Sequence, residues 1–346
     1  MRARHHLVHG LVCALVACAA AFPAYPGEVI DGVKSRAKLR CGVSNGIPGF
    51  SMPDASGRWS GLDADFCRAV AAAVLGDSAK VQFVSLKASE RFPALTAKAV
   101  DLVVRNTTWT MRREVLLKLA FPGILYYDGQ GFMVPAAAGV KSLDELKGAT
   151  ICVEKGTTHE EQLIDHFAAR GAQVEPLVID SSATGVASAF FSGKCRAYTS
   201  DASQLAAVRS QAPGGAQAFV ILPELISKEP LGPSVRRGDD EFFAIAKWTF
   251  NVLLEAEEYG ITQANIDQIK KDSKNPGVMR LLGAGTEDTG KVLGLDKDWA
   301  YRAIKAVGNY GEIFERHVGE KTPIGLPRGT NALWTEGGLM YAPPVR

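Results

Sequence analysis

Along residues 38–222, short apolar runs alternate with amphipathic stretches, and the alternation predicts strands and helices in turn. Lys38–Val43, Val81–Leu86 and Ala99–Val104 have strand length and strand composition, and a turn-rich segment, 44–61, follows the first. Asp63 is placed to cap a helix running through Val74, which Gly76 closes, and Glu90–Lys98 reads as a second helix. Another series begins near Val140. It predicts a short helix at Ser142–Lys147, strands at Ala149–Glu154, Val174–Asp180, Cys195–Thr199 and Phe219–Leu222, and helices at Thr158–Arg170, Gly185–Phe191 and Ala202–Arg209. From Glu241 the pattern is helical: Glu241–Ala256, Ile261–Lys271, Trp299–Val307 and Tyr310–His317, then a Pro- and Gly-rich end from Thr322. Such alternation builds mostly parallel sheets with helices on both faces. Two series joined by extended segments predict an α/β protein of two lobes around a cleft, with ligand beyond the carboxyl ends of the strands.

Composition narrows the class. The 346 residues give room for two domains, and 47% apolar with 22% charged residues is an ordinary globular balance. A formal charge of +2 gives no electrostatic case for nucleic acid. The first ten residues carry Arg2 and Arg4 and no acid, and Leu11–Ala21 is small and apolar. Residues 1–21 read as an export signal, too short to span a membrane, with Ala19 and Ala21 suiting cleavage before Phe22. Leu15-Val-Ala-Cys18 supports a rival reading, a lipobox that leaves Cys18 as an acylated first residue. Removing the signal leaves 37 basic against 37 acidic residues. Beyond it lie Cys41, Cys67, Cys152 and Cys195, with no CxxC pair. They are either buried thiols or, in an oxidising compartment, two disulfides.

Three polar clusters follow predicted strands. Arg105–Arg113 offers hydroxyls, an indole and guanidinium forks suited to a carboxylate, or else it is a solvated turn. In Glu154–Glu161, Gly156 permits an unusual turn and Thr157 with Glu160 fits a capping box. The free N–H groups of that helix end also favour an anion. Thr199-Ser-Asp201 presents a carboxylate for an ammonium group, or a helix cap supported by Gln204. An anion fork, an anion-binding helix end and a carboxylate together complement a zwitterion. No P-loop, HExxH or GxGxxG competes, so no cofactor or metal site is expected. His159 and His166 share a helix face that reads as solvated.

Longer motifs carry a family resemblance. Gly57-Arg-Trp-Ser-Gly-Leu-Asp-Ala-Asp-Phe-Cys67, Asn106-Thr-Thr-Trp-Thr110 with Arg113, Gly156-Thr-Thr158 and Ser200-Asp201 resemble, in order and interval, the polar amino-acid-binding proteins of ABC importers. Tyr126–Met133, Ile226–Pro233, Gly308–Arg316 and Asn331–Pro344 are most similar to the general L-amino-acid-binding proteins of proteobacteria. The resemblance implies a two-lobed, type II periplasmic binding protein fold, with residues 29–132 and 235–346 in one lobe and 136–230 in the other. Hinge strands are implied near Gly131–Val134 and Gly232–Arg236.

By that resemblance Arg113 holds the ligand α-carboxylate, helped by Thr108 and by Thr158 in the Gly156-Thr157-Thr158 turn. Asp201 and the Asn106 carbonyl take the α-ammonium. Arg112-Arg113 stands where many relatives have Glu-Arg, and spacing from Thr108 favours Arg113. Glu154 is expected at the ligand side chain or the rim. The implied protein is a monomer of the periplasm that captures L-amino acids for an importer permease and is not an enzyme. An enzyme of the cyclohexadienyl dehydratase kind and an amino-acid sensor are other uses of the fold. With the lobes so divided, Cys41–Cys67 and Cys152–Cys195 are the pairings that leave closure free.

Overall fold

A computed structural model of the chain describes residues 27–346, so the export signal and the Cys18 reading lie outside the described residues. The first α/β unit holds a three-stranded parallel sheet in the order Val81–Leu86, Leu39–Ser44, Leu102–Val103. The third strand is shorter than its pattern predicted; the Asp101 N–H bonds the Arg40 carbonyl and its carboxylate binds Arg36 and Arg40. Helix Leu62–Leu75 covers the sheet. Its many alanines let helices Asp240–Glu258 and Trp299–Val307 pack closely on it, with Phe66 edge-on to Phe250 at 6.3 Å. Trp299, Ile304 and Phe314 are almost fully buried there. Each such side chain stabilises the fold by roughly 1.5–3 kcal/mol.

Gly76 closes that helix in the left-handed region at φ 72°, but Asp63 does not cap it. Gly61 is the N-cap residue, at φ 124°, and a Cβ there would lie 2.1 Å from the Phe50 carbonyl oxygen. Only glycine fits, so the helix starts before Asp63, which is carried inside and buried.

The second unit holds five strands in the order Glu175–Ile179, Thr150–Glu154, Ala197–Asp201, Gln130–Pro135, Phe219–Ile221. The first three are parallel, and Gln130–Pro135 runs antiparallel to both of its neighbours. The chain enters this unit through Tyr126–Asp128 and leaves through Glu229–Leu231, and these two short strands pair with each other. The crossing therefore lies earlier than the expected Gly131–Val134, whose residues are committed to the five-stranded sheet. Cys41 is bonded to Cys67 and Cys152 to Cys195, with Cα separations of 6.2 and 5.6 Å, each within one unit.

The C-terminal helices and tail brace the crossing. The side-chain amide of Asn331 bonds both backbone groups of Tyr127, and Tyr310 Oη donates to the Leu125 carbonyl. Helix Tyr310–His317 opens with an Asn309–Glu312 capping box. Among the described residues no helix is long and apolar enough to cross a membrane.

Candidate functional site

The ends of the sheets meet at a concentration of buried charge. Arg91, Arg105 and Arg113 come from the first unit, Glu154, His159 and Asp201 from the second, and Glu229 from the crossing strand, all buried. Burying unpaired ions is costly, so each must find a partner or await one.

Arg113 follows Thr110, whose hydroxyl caps the short helix Met111–Val115 by accepting from the Arg113 N–H. Its Nη1 donates to the Thr108 carbonyl at 2.8 Å, and its guanidinium lies 5.1 Å from the Phe92 ring centre. Burial lowers its pKa to about 10, against the opposing charges of Glu229 and Asp201, so it stays cationic at neutral pH. Arg112, one residue earlier, points out and bonds Glu161 across the cleft at 2.7 Å, with both partners largely exposed. The choice between adjacent arginines is thus made by burial.

Arg105 donates to Glu154 at 2.6 Å in an ion pair across the two units, and to the Leu86 carbonyl. Arg91 donates to the carbonyls of Arg105, Asn106 and, across the cleft, Gly156. Gly156 has φ 81°, and a Cβ there would lie 2.8 Å from Ser89 Cα, so the backbones approach only because it is glycine.

The expected capping box at Thr157 does not form, and Thr158 is the N-cap residue. Thr157 Oγ1 donates to the Glu154 carbonyl, leaving nothing for the helix, while the Glu160 carboxylate accepts from the Gly156 N–H at 2.6 Å. Nor does Asp201 cap its helix: the carboxylate turns to His159 Nε2 at 3.2 Å, and Gln204 donates to the Tyr198 hydroxyl.

His159 does not lie on a solvated face. It is 3% exposed, because helix His159–Ala168 presents its first residue inward to Asp201. His166, a helical turn or two later, stays outside near Arg170. Burial disfavours the charged ring, but Asp201, Glu229 and Glu154 outweigh burial and raise the His159 pKa above its ordinary value.

Glu229 was not singled out by sequence, although it lies within the Ile226–Pro233 run. An acid between Lys228 and Pro230 in that run was the available signal. Its Oε2 accepts from Thr108 Oγ1 at 2.6 Å and from Thr158 Oγ1 at 3.0 Å, and its Oε1 accepts from Ser227 at 2.6 Å. One carboxylate thus holds threonines from both units. Burial works to raise its pKa, but the charge of His159 and these three hydroxyls prevail and keep it low. Arg91 was also missed; its signal was a charge at the head of the apolar Phe92-Pro-Ala-Leu95.

Asn106 sits at φ 40°, with both side-chain amide atoms buried and unpartnered among the described residues. It lines a small cavity with Asp63, Tyr126 and Leu231. Burial pushes the Asp63 carboxyl up to about 7. Roomier hollows lie among the C-terminal helices, such as that beside Trp248 and Val292, but they lack converging buried charges. Against the expectation that no GxSxG is present, Gly42-Val-Ser-Asn-Gly46 has the spacing of a nucleophile elbow. Ser44 is buried with its Oγ 2.6 Å from Ser51 Oγ, and among the described residues no histidine bonds it.

The structure thus brings Asn106, Thr108, Arg113, Glu154, Thr158 and Asp201 to one place, with the Thr157 hydroxyl spent inside the loop. Comparison with known proteins agrees on the kind of molecule. The family described as bacterial extracellular solute-binding proteins, family 3, matches residues 39–266. The chain is 51% identical over 335 residues, 97% of each chain, to the glutamate/glutamine/aspartate/asparagine-binding protein BztA of Rhodobacter capsulatus. It is 50% identical over 318 residues, 92% of each, to the general L-amino acid-binding periplasmic protein AapJ of Rhizobium johnstonii. Among solved structures, a periplasmic binding protein of an ABC transporter from Brucella ovis, with glutathione bound, superposes with a TM-score of 0.89 at 50% identity. That match covers 92% of this chain and 99% of the other.

Proposed function

The chain belongs to the bacterial extracellular solute-binding proteins of family 3, and from that premise we propose that it captures free L-amino acids in the periplasm and delivers them to the permease of an ABC importer. One observation carries the reading. A buried arginine fork of the first unit, Arg113, faces buried carboxylates of the second unit and the crossing, Asp201 and Glu229. A ligand with a carboxylate and an ammonium on one carbon complements that arrangement.

Arg113 takes the α-carboxylate, with the Thr108 and Thr158 backbone groups beside it, and Asp201 with the Asn106 carbonyl takes the α-ammonium. Residues 29–125 with 235–346 form one lobe and 130–226 the other, since Gln130–Phe132 pair within the five-stranded sheet, so one ligand bridges both and favours the closed form. The side-chain end is bounded by the Arg105–Glu154 pair. The protein binds without turnover and acts as a monomer. The names of the relatives, which include broad and acidic or amide amino-acid binders, support breadth of ligand.

Titration calorimetry against the twenty L-amino acids and glutathione, whose γ-glutamyl end is itself an α-amino acid, tests the proposal. Saturable binding with unchanged ligand recovered is expected. Absence of binding to all of them, or recovery of a converted product, overturns it.

A further inference from the structure

His159, Asp201 and Glu229 converge beyond what ion pairing between two of them requires. One donor atom from each lies within 4.8 Å of the other two, and all three residues are buried. Three atoms so spaced share a point no more than about 2.8 Å from each, a hydrogen-bond length. Asp201 ends the strand Ala197–Asp201, Glu229 begins the crossing strand Glu229–Leu231, and His159 begins the helix after Gly156. They approach from three directions. Two carboxylates and a ring nitrogen around one point form a site for a cation that can donate three hydrogen bonds, which describes a primary ammonium.

The proton inventory gives the consequence. An ammonium at that point has only N–H donors, so the ring nitrogen must present its lone pair to it. An imidazolium has no lone pair there and adds a second positive charge within a few ångströms in a site shielded from water. The ring therefore cannot stay protonated beside the ammonium. Without ligand, the charges facing the ring favour the proton. They are Asp201, Glu229 and, from strand Thr150–Glu154, Glu154, although Arg105 is bonded to Glu154 and Arg113 faces Glu229 and Asp201. Asp128 adds no secure charge, because burial and the neighbouring Asp201 push it up to about 7. Nε2 is the ring nitrogen that faces Asp201, so the neutral ring keeps its proton on the buried Nδ1 and turns the Nε2 lone pair toward the ammonium.

We propose that Glu229 joins Asp201 as a second carboxylate for the α-ammonium, and that His159 holds a proton in the cluster which the ammonium displaces into solvent. Capture of an amino acid then releases up to one proton and tightens as pH rises through the His159 titration. This rests on the proposed reading of the cleft as an amino-acid site.

Calorimetry with L-glutamine, L-glutamate, L-alanine and L-arginine between pH 5.5 and 7.5, in phosphate and in Tris or imidazole buffers, tests it. The observed enthalpy is expected to differ between buffers by the heat of protonating buffer with up to one proton. Affinity is expected to rise with pH by at most tenfold per unit, the limit for one proton. His159→Gln should abolish the buffer difference and flatten the pH profile, binding more tightly than the unaltered protein at pH 5.5. Glu229→Gln, which keeps an acceptor for the threonine hydroxyls, should weaken every amino acid by tenfold or more at pH 7.5. Binding of the unaltered protein with equal enthalpies in all buffers and a flat profile overturns this inference and leaves the proposed function standing. The inference also fails if EDTA abolishes binding, since a metal would then occupy the three donors. Absence of binding to any of the four amino acids overturns both. If either variant fails to fold, the proton count of the unaltered protein still decides.

Discussion

Two groups of buried or half-buried charge in this protein are built from the same side-chain types and are bonded differently. In the corner around Asp65, one carboxylate oxygen accepts from Arg68 at 2.9 Å, and the other accepts from Arg316 at 2.6 Å and His317 at 2.7 Å. Arg316 spends a second donor contact on the Val307 carbonyl. The carboxylate is fully engaged, and those bonds tie helix Leu62–Leu75 to helix Tyr310–His317. In the cleft the charges face one another without saturating: one oxygen of Asp63, Nε of Arg91, both amide atoms of Asn106 and Nδ1 of His159 have no partner among the described residues. A satisfied cluster holds elements together, whereas an unsatisfied one keeps bonding capacity for something that arrives. Stability and affinity should therefore separate cleanly between the two places.

The largest effect should be in the cleft. Arg113→Ala or Asp201→Ala leaves one end of a buried zwitterion unpaired, at a cost of about 3–5 kcal/mol, on the order of a hundred- to a few-thousand-fold in Kd. Calorimetry with one acidic, one basic, one polar and one aliphatic amino acid should show all four weakened alike, with melting temperature unchanged or raised. A change of less than about threefold across the panel would remove Arg113 from the carboxylate role.

Asp65→Asn should do the reverse, lowering stability and leaving affinity intact. Burial works to raise the Asp65 pKa, but His317 and Arg316 outweigh it and hold the carboxyl at about 2. A depressed carboxylate pKa stabilises the fold above the unfolded value near ~4, and that contribution disappears as pH falls toward ~2. Urea unfolding at pH 7 should show the variant less stable by roughly 2 kcal/mol, and the gap should narrow below about pH 4 and close only below about pH 2. A gap that stayed undiminished below about pH 2 would show that packing rather than charge was lost.

Glu154→Gln should have an intermediate effect of a different kind. It leaves Arg105 buried without its anion, so ligands with an acidic side chain should gain on basic ones by about tenfold, roughly 1.4 kcal/mol. A uniform change across the same four amino acids would mean that this pair only holds the units together. Smallest of all, Arg112→Ala removes an exposed ion pair worth roughly 0.2–1 kcal/mol. Affinity should shift by less than about fivefold, and the shift should vanish in high salt. Persistence of the effect in 1 M salt would assign Arg112 more than a rim contact.

Much of this was legible in the sequence where a local rule governs. The period of apolar positions foretold helices Ala202–Arg209, Trp299–Val307 and Tyr310–His317 to the residue, because amphipathic packing needs only spacing along the chain. The clusters at Arg105–Arg113, Glu154–Glu161 and Thr199–Asp201 were found because strand ends carry polar loops. The misreadings share a cause. Asp63 and Thr157 were assigned as caps from their type and spacing, but the capping position depends on where a turn first fits, and Gly61 against Phe50 decided that. His159 was read as solvated from its neighbours in sequence, whereas its surroundings come from Asp201 and Glu229, 42 and 70 positions away.

By itself, then, the sequence determined the class of fold, the family and which segments carry polar chemistry, since these follow from local periodicity and contiguous motifs. Tertiary structure alone decided which of two adjacent arginines is buried, that Glu229 reaches threonines of both units, and that a histidine stands between two carboxylates. Burial and the direction of a side chain are set by residues distant in sequence, and in the interior those two properties determine whether a charge is a structural bond or a binding site.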